Sequence, residues 1–296
     1  MKCELLCLPC TVRTAFDIAA KATEDEKLQE KIIFETMRWL TETPNVLDTS
    51  PTCLHTQVQR IAQRITGNLD PFKELKKASN EIALRVIPEL EKGYAEKPFE
   101  EGFRFAALGT ICGNTIDFEV EGHTFSMREL ESSLRSCLNS DLAIDDVEKL
   151  FAALSRSKKV LYLLDNAGEI AFDKFFIKVI TDNFPVKVFA AVKSEPILND
   201  ATAEDAAAVK LEEVAEVIST GNAVIGLSLD ESSEEFLEHL ETADLIIAKG
   251  QGNYESMTEF ERLLPKPIVY VFRAKCGLVA KSVGAPLQGN IVRMID

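Results

Sequence analysis

The chain has 296 residues, of which 46% are hydrophobic and 27% charged, so it can bury a sizeable core in one or two domains without disulfides. Its formal net charge of -15 repels phosphate backbones and argues against nucleic acid as a partner. No segment has the apolar length of a membrane span, and the short apolar run at residues 1–10 fits a secretion signal poorly. We therefore expect a cytoplasmic protein with no membrane partner.

The first half of the chain has apolar residues at helical spacing. A capping box is predicted at residues 23–26, before a helix that Pro44 ends. The other helices predicted in this half cover residues 57–65 (closed by Gly67), 71–91, 99–108, 127–138 and 144–154.

The pattern changes near Ser157, where continuous apolar runs begin to alternate with helical segments. Such runs are typical of strands that are buried on both faces of a parallel sheet. They cover residues 160–164, 186–192, 216–219, 245–248 and 268–272, with helices predicted at 170–183, 232–240 and 254–264. We predict an α/β fold in which a mostly helical domain, residues 1–155, packs on a doubly wound parallel sheet, residues 156–296.

Polar side chains follow the predicted strands, at the edge where open parallel sheets bind ligands. The first two strands are followed by Asp165, Asn166 and Asp200. Their carboxylate and carboxamide oxygens suit a hard divalent cation such as Mg²⁺ or Mn²⁺. Each of these residues can equally begin a turn or cap the next helix. The prediction of a metal site therefore depends on all three lying at one edge of the sheet.

A phosphate-binding set follows the next strands. Ser219, Thr220 and Gly221 offer hydroxyl and backbone donors to phosphate oxygens, and Lys249 offers a positive charge. Combined with a metal, these groups predict a site for phosphoryl chemistry. Neither a GxxxxGK[ST] loop nor a GxGxxG motif occurs, and Ala167 stands where a haloacid-dehalogenase-like phosphatase would carry a second aspartate.

Three motifs resemble the DUF89 family of damage-control phosphatases, whose metal-binding domain is called ARMT1-like. They are Asp-Asn-Ala-Gly-Glu at 165–169, Asn-Asp at 199–200 and Lys-Gly-Gln-Gly-Asn-Tyr at 249–254. The run Gly-Asn-Thr-Ile-Asp-Phe at 113–118 is similar to the family's Gly-Asn-x-x-Asp element. Cys-Leu-Pro-Cys at 7–10 is similar to the start of its stand-alone prokaryotic branch.

The resemblance implies a helical N-terminal region on a Rossmann-like sheet. It also implies metal-dependent hydrolysis of phosphate monoesters of small metabolites, such as sugar phosphates or damaged phosphometabolites. The cofactor would be a divalent metal, Mn²⁺, Mg²⁺, Co²⁺ or Ni²⁺. By similarity the metal ligands are Asp165, Asn166 and Asp200; the phosphate ligands are Ser219, Thr220, Gly221 and Lys249; and Asn114 and Asp117 close the site. As a hypothesis, Asp165 or Asp200 attacks the phosphoryl group or orients a water.

Two other functions stay open on the sequence. The same site would suit a non-catalytic protein that binds a sugar phosphate or nucleotide. A related eukaryotic branch has been described as a protein carboxyl methyltransferase that uses S-adenosylmethionine, although no methyltransferase glycine motif is evident here. The Cys7-x-x-Cys10 pair would suit zinc or redox chemistry only with further partners, so buried side chains at a helix start are the expectation for these two residues. All seven cysteines are expected to be reduced.

Overall fold

The computed structural model describes residues 1–113 and 127–296, which form N-terminal helices followed by a seven-stranded sheet interleaved with further helices. The helices are α1 Cys7–Ala22, α2 Glu26–Glu42, α3 Pro51–Thr66, α4 Lys73–Ala95, α5 Phe99–Gly113, α6 Met127–Leu138, α7 Val147–Leu154, α8 Glu169–Asn183, α9 Ala203–Ala208, α10 Glu234–Thr242, α11 Gly250–Met257 and α12 Gly277–Val283. The strands are β1 Leu142–Asp145, β2 Lys159–Leu163, β3 Lys187–Val192, β4 Glu216–Ser219, β5 Leu245–Lys249, β6 Ile268–Arg273 and β7 Asn290–Ile295.

The sheet has the strand order β1-β7-β6-β5-β2-β3-β4. Strands β2 to β6 are parallel to one another and β1 is parallel to β7, whereas β7 is antiparallel to β6. After β2 the chain adds β3 and β4 on one side, then returns to add β5 and β6 on the other. This is the doubly wound arrangement expected from the sequence, and it places the reversal of strand order between β2 and β5.

Apolar residues on the central strands alternate between the two sides of the sheet. On β2, Val160 and Tyr162 lie in one buried cluster and Leu161 and Leu163 in the other. Both clusters are covered by helices, which explains why the strands are continuous apolar runs in the sequence. Continuous burial of this kind removes several hundred Å² of apolar surface from water and stabilises the fold at roughly 25 cal/mol per Å².

The helical region meets the sheet through the first of these clusters. Helices α4 and α5 contribute Leu90, Phe103 and Ile111 to the same core as the residues of α8 and β2. A smaller core lies between α1, α2 and α3. The division into domains at residue 155 stays a prediction, with the added observation that β1, on the N-terminal side of that boundary, belongs to the sheet.

Local signals explain where several helices begin and end. Ser50 caps α3 through its hydroxyl, which accepts the backbone N–H of Cys53 at 3.3 Å, and Pro51 occupies the first helical position. Gly67 ends that helix in the left-handed conformation, as its position in the sequence predicts. None of the helices in the described part of the chain is long and apolar enough to cross a bilayer.

Several details differ from the sequence-based expectations. The helix predicted over 254–264 is α11, which begins at Gly250 and ends at Met257. The cap of α2 is Asp25, which accepts the N–H of Lys27 at 2.9 Å, and not the predicted box beginning at Thr23. The predicted helix over 144–154 begins only at α7, because β1 occupies its start. Strand β7 was not predicted. Finally, Cys112 and Cys137 form a disulfide that joins α5 to α6, so the expectation of seven reduced thiols is wrong for this pair.

Candidate functional site

The reversal of strand order brings the loops after β2, β3 and β5 together at the carboxyl edge of the sheet. Strand β2 pairs with β3 on one side and with β5 on the other. A reversal of this kind leaves a crevice between the loops, which is where open α/β sheets bind their ligands. The loops after β2 and β3 carry the predicted metal ligands, while β5 passes directly from Lys249 into α11 at Gly250.

Backbone pairing joins the loop after β2 to the loop after β3. Asn166 and Asp200 form an isolated antiparallel bridge, and the N–H of Ala201 donates to the carbonyl oxygen of Asp165 at 2.8 Å. The three predicted metal ligands are therefore brought together by the fold. They are also oriented by main-chain hydrogen bonds, which hold a loop more tightly than contacts between exposed side chains.

Gly250 allows the turn after β5 to approach Asp165 closely. A Cβ atom at position 250 would lie 1.9 Å from Oδ2 of Asp165, far inside any contact distance. Gly250 also has a φ of +78°, which side chains other than glycine adopt only with strain. The second glycine of the 249–254 motif, Gly252, has no such backbone requirement, and its Cβ would meet Ile225 at 3.1 Å.

The donor set fits a hard divalent cation. Oδ2 of Asp200 is buried and accepts no hydrogen bond among the described residues, which leaves a carboxylate oxygen to be satisfied. The carboxamide nitrogen of Asn166 donates to Oδ2 of Asp165 at 2.7 Å, and an amide that donates through nitrogen still offers its oxygen to a cation. Within residues 1–113 and 127–296, no three His, Cys, Asp or Glu side chains are arranged to hold a metal ion, so the third donor here would be the oxygen of Asn166.

Lys249 lies beneath this site and is fully buried. Its Nζ donates to Oε1 of Glu169 at 2.5 Å and to Oδ1 of Asp173 at 2.7 Å, and it lies 3.4 Å from the carbonyl oxygen of Thr110. An ammonium group has three protons, so these contacts engage all of them. A phosphate bound by Lys249, as the sequence predicted, would have to replace one of these partners.

The charge balance of the site is negative. Its acidic residues are Asp165, Glu169, Asp173 and Asp200; Lys193 and Lys249 form ion pairs with the last three, and the positive charge of Lys275 acts on Asp165. Nζ of Lys193 lies 3.7 Å from Oδ2 of Asp200 and also donates to the carbonyl oxygen of Gly226. More carboxylates than ammonium groups in a buried place are costly unless a further cation is bound.

The pKa values follow from burial and from this excess of negative charge. Burial, and then the charges of Glu169 and Asp200, raise the pKa of Asp165 well above its ordinary value. Burial raises the pKa of Asp200 to about 6 against the opposing effect of Lys193. Raised carboxyl pKa values of this kind are typical of functional sites. A cation bound between the two carboxylates would lower both pKa values again.

The same causes act in the cluster beneath the site. Burial raises the pKa of Asp173 to about 7, although its ion pair with Lys249 opposes the shift. Burial works against the charge of Lys249, but Asp173 and Glu169 outweigh it and raise the pKa of the lysine. The ammonium of Lys249 is therefore held charged by the two carboxylates of α8, which lie one helical turn apart.

The predicted phosphate ligands lie in different places. Thr220 is buried and its N–H donates to the carbonyl oxygen of Val192, while Gly221 donates to the hydroxyl of the exposed Ser219. These residues follow β4, which is separated from β2 by β3. Asn114 and Asp117, expected to close the site, lie outside the described residues.

Four functional candidates were not among the predicted site residues. Lys275 follows β6, is exposed, and its positive charge acts on Asp165. Glu169 and Asp173 are buried acids one turn apart on α8, and the residues between and beside them on the buried face are apolar, which is the sequence signal that marks them. Lys193 directly follows the buried strand β3, just as Lys249 ends β5. A lysine at the end of a continuous apolar run is therefore the sequence signal that marks Lys193.

Comparison with known proteins shows which family the chain matches. Residues 4–291 match the model of the damage-control phosphatase ARMT1-like domain. A crystal structure of a DUF89 family protein, PH1575 from Pyrococcus horikoshii, superposes with a TM-score of 0.88 at 33% identity. The match covers 99% of this chain and 98% of that one.

Curated relatives match over nearly the same length. An uncharacterized protein of Methanocaldococcus jannaschii is 41% identical over 97% of this chain and 93% of its own. A damage-control phosphatase of Archaeoglobus fulgidus is 34% identical over the full length of both chains. The damage-control phosphatase PH1575 of Pyrococcus horikoshii is 35% identical over 99% of this chain and 98% of its own.

Proposed function

Because the chain belongs to the damage-control phosphatase ARMT1-like family, we propose that it is a metal-dependent phosphatase that hydrolyses phosphate monoesters of small metabolites. Sugar phosphates and damaged phosphometabolites are the substrate class. The observation that carries the proposal is the convergence of Asp165, Asn166 and Asp200 at the reversal of strand order, where Oδ2 of Asp200 accepts no hydrogen bond from the described residues and has Nζ of Lys193 3.7 Å away. The names of two curated relatives support phosphoryl chemistry over methyl transfer.

Asp165, Asn166 and Asp200 would hold the metal, which is Mn²⁺, Mg²⁺, Co²⁺ or Ni²⁺. When bound, the ion supplies a Lewis acid that polarises the phosphoryl group and offsets negative charge. Asp165 is half-buried whereas Asp200 is 3% exposed, so Asp165 is the carboxylate that a substrate can reach. It would either attack phosphorus, so that the P–O bond to the alcohol breaks and water then hydrolyses the aspartyl phosphate, or accept the proton of a water that attacks phosphorus as that P–O bond breaks.

Lys275 would hold the phosphate oxygens, since it is exposed and its charge already acts on Asp165. Lys249 would stabilise the site without binding phosphate, because its ammonium protons are donated to Glu169 and Asp173. Glu169 in turn lies 3.4 Å, through Oε2, from the carboxamide nitrogen of Asn166. Contact of Ser219, Thr220, Gly221, Asn114 and Asp117 with phosphate stays a prediction.

The direct test is turnover of p-nitrophenyl phosphate with each of the four metals. The wild-type chain should require added metal and lose turnover in EDTA. Asp165→Ala should lower kcat/KM by about 100-fold or more, the order expected when a charged transition-state contact is lost. Asp182→Ala is the matched control, since Asp182 is exposed on α8 and pairs only with Lys178 at 2.5 Å among the described contacts.

Undiminished turnover in Asp165→Ala would make the assignment wrong. Saturable binding of a phosphometabolite without turnover under any metal would instead favour the non-catalytic binding protein. A screen of phosphorylated metabolites against the active metal then defines the substrate.

A further inference from the structure

Asn80 lies in helix α4 of the helical region, yet its side chain contacts the loop that follows β2. It is 3% exposed, and its Oδ1 accepts the backbone N–H of Gly168 at 2.7 Å. Gly168 ends the loop that begins at Asp165, and it has a φ of +78°. The hydrogen bond is buried and joins residues 88 positions apart, so it connects two parts of the chain that have no local reason to meet.

The other end of the same carboxamide reaches the loop after β3. Nδ2 of Asn80 donates to Oδ1 of Asp205 at 2.8 Å. Oδ2 of Asp205 accepts the backbone N–H of Thr202 at 2.9 Å and its hydroxyl at 2.8 Å, which forms the capping box of α9. Thr202 lies two residues after Asp200, so one side chain links the loops on both sides of the candidate site.

Lys76 supplies the charge that this arrangement needs. It lies one turn before Asn80 on α4, is 4% exposed, and has Nζ 3.8 Å from Oδ2 of Asp205 and 2.9 Å from Oδ2 of Asp70. A carboxylate as buried as that of Asp205 is tolerated when it is paired and hydrogen-bonded. Ion pairs and hydrogen bonds therefore connect Asp70 to Gly168 through Lys76, Asp205 and Asn80.

We infer that Asn80 is a positioning residue for the proposed metal site, holding the loop of Asp165 and Asn166 and the loop of Asp200 in register through Gly168 and Asp205. This inference rests on the proposed function. A metal site tolerates little movement of its ligands, and residues one shell out that orient ligands commonly change metal affinity by 10- to 100-fold when altered. Asn80 suits this task because the contact needs one acceptor and one donor in a fixed direction.

Asn80→Asp tests the direction of these hydrogen bonds with almost no change of shape. The new carboxylate still accepts from Gly168, but it faces the carboxylate of Asp205 without a donor between them. We expect the dissociation constant for Mn²⁺ alone, measured on the full chain by calorimetry, to rise about 10-fold or more. The free energy of unfolding is measured in parallel.

The double variant Asn80→Asp with Asp205→Asn reverses the polarity and restores every hydrogen bond. The carboxylate at 80 then accepts from Gly168 and from the new amide at 205, whose oxygen accepts the N–H of Thr202. We expect the Mn²⁺ dissociation constant to return to within about 3-fold of the wild-type value, with each single change weakening binding. Such a cycle isolates the coupling between the two residues.

Asn183→Asp is the matched control. Asn183 ends α8, outside this network, and its Nδ2 donates to the carbonyl oxygen of Val179 at 2.8 Å; a carboxylate there loses this hydrogen bond and meets the negative end of the helix dipole. This variant should lose stability and keep wild-type Mn²⁺ affinity. Wild-type affinity in Asn80→Asp, or a double variant that binds Mn²⁺ no better than Asp205→Asn, overturns the inference.

If Asn80→Asp does not fold, the comparison of the double variant with Asp205→Asn decides the question alone. A wild-type chain that neither binds Mn²⁺ nor hydrolyses phosphate esters would overturn the proposed function, and this inference with it. A wild-type chain that does both, alongside an unaffected Asn80→Asp variant, overturns only the positioning role.

Discussion

At the scale of single residues, the molecule concentrates buried charge at the carboxyl ends of its strands. Lys249 is fully buried between Glu169 and Asp173, and Lys193 is buried beside Asp200. Replacing such ion pairs with apolar residues is often neutral or stabilising, so stability alone does not explain them. Their position at the reversal of strand order favours a functional explanation.

Glu255 is a buried acid outside this cluster, and it gives a prediction about pH. Burial raises its pKa to about 7 from an ordinary 4.5, against the opposing hydrogen bond from Gln251 at 2.7 Å. Between pH 4.5 and 7 the folded state therefore holds a proton that the unfolded state has lost. The contribution of Glu255 is most favourable below about pH 4.5 and is lost as the pH rises towards 7, by about 3 kcal/mol.

Glu255→Gln should remove this loss, because the amide stays neutral at every pH. Relative to wild type, the variant should gain about 3 kcal/mol between pH 4.5 and 8, measured by urea unfolding at both values. Glu238→Gln, an exposed change on α10, should show no such gain. A parallel pH dependence of wild type and Glu255→Gln would contradict the prediction.

At the scale of elements, the turn from β5 into α11 controls the approach of one strand end to another. Lys249 ends β5, and Gly250 turns the chain directly against the carboxylate of Asp165. Because α11 follows β5 directly, no loop residues can adjust if the backbone at this turn is displaced. The precision of the candidate site therefore depends on the backbone of this turn as well as on its side chains.

Gly250→Ala tests the turn. Its Cβ would lie 1.9 Å from Oδ2 of Asp165 at a φ of +78°, so the carboxylate must move and the backbone is strained. We expect a loss of about 1–3 kcal/mol in the free energy of unfolding and a fall in kcat/KM of about 10-fold or more.

Gly284→Ala is its control, since Gly284 has a φ of +77° and no atom of the described residues lies within 4 Å of the added Cβ. It should lose stability through the same backbone strain while kcat/KM stays at the wild-type value. Equal loss of activity in both variants would show that strain, and not displacement of Asp165, is responsible.

At the scale of the whole molecule, aromatic packing joins the helical region to the sheet. Phe103 of α5 lies 5.4 Å from Phe176 of α8, 5.7 Å from Phe151 of α7 and 5.8 Å from Phe184, measured between ring centroids. These rings belong to the large cluster that also holds residues of the central strands. Shared packing of this size predicts that the helices and the sheet unfold together.

Phe103→Ala should therefore lower the stability of the whole chain by about 3–5 kcal/mol in a single transition, followed by circular dichroism and tryptophan fluorescence. Phe34→Ala, at a position that is 57% exposed on α2, should cost far less. Two separate transitions, with only one shifted by Phe103→Ala, would instead show that residues 1–155 and 156–296 unfold as independent domains.

The sequence by itself determined the central part of the fold, and it proposed the candidate metal ligands that follow its strands. Strands β2, β3, β5 and β6 are predictable because burial on both faces makes each a continuous apolar run, and Asp165, Asn166 and Asp200 lie in the segments that follow β2 and β3. The motifs at 165–169, 199–200 and 249–254 were sufficient to identify the family. Strand β1 was missed because it is a short edge strand whose residues alternate between partly buried and exposed.

Only the tertiary structure decided which distant side chains act on that site. Nothing in the pattern of α4 separates Asn80 from its solvent-facing polar residues, because the sequence does not show that Gly168 and Asp205 lie against it. Lys249 is similar: at a strand end it suggests a free charge, whereas the fold pairs it with two acids of α8. Chemical type and local periodicity are properties of the chain, but contacts between segments depend on how the elements pack.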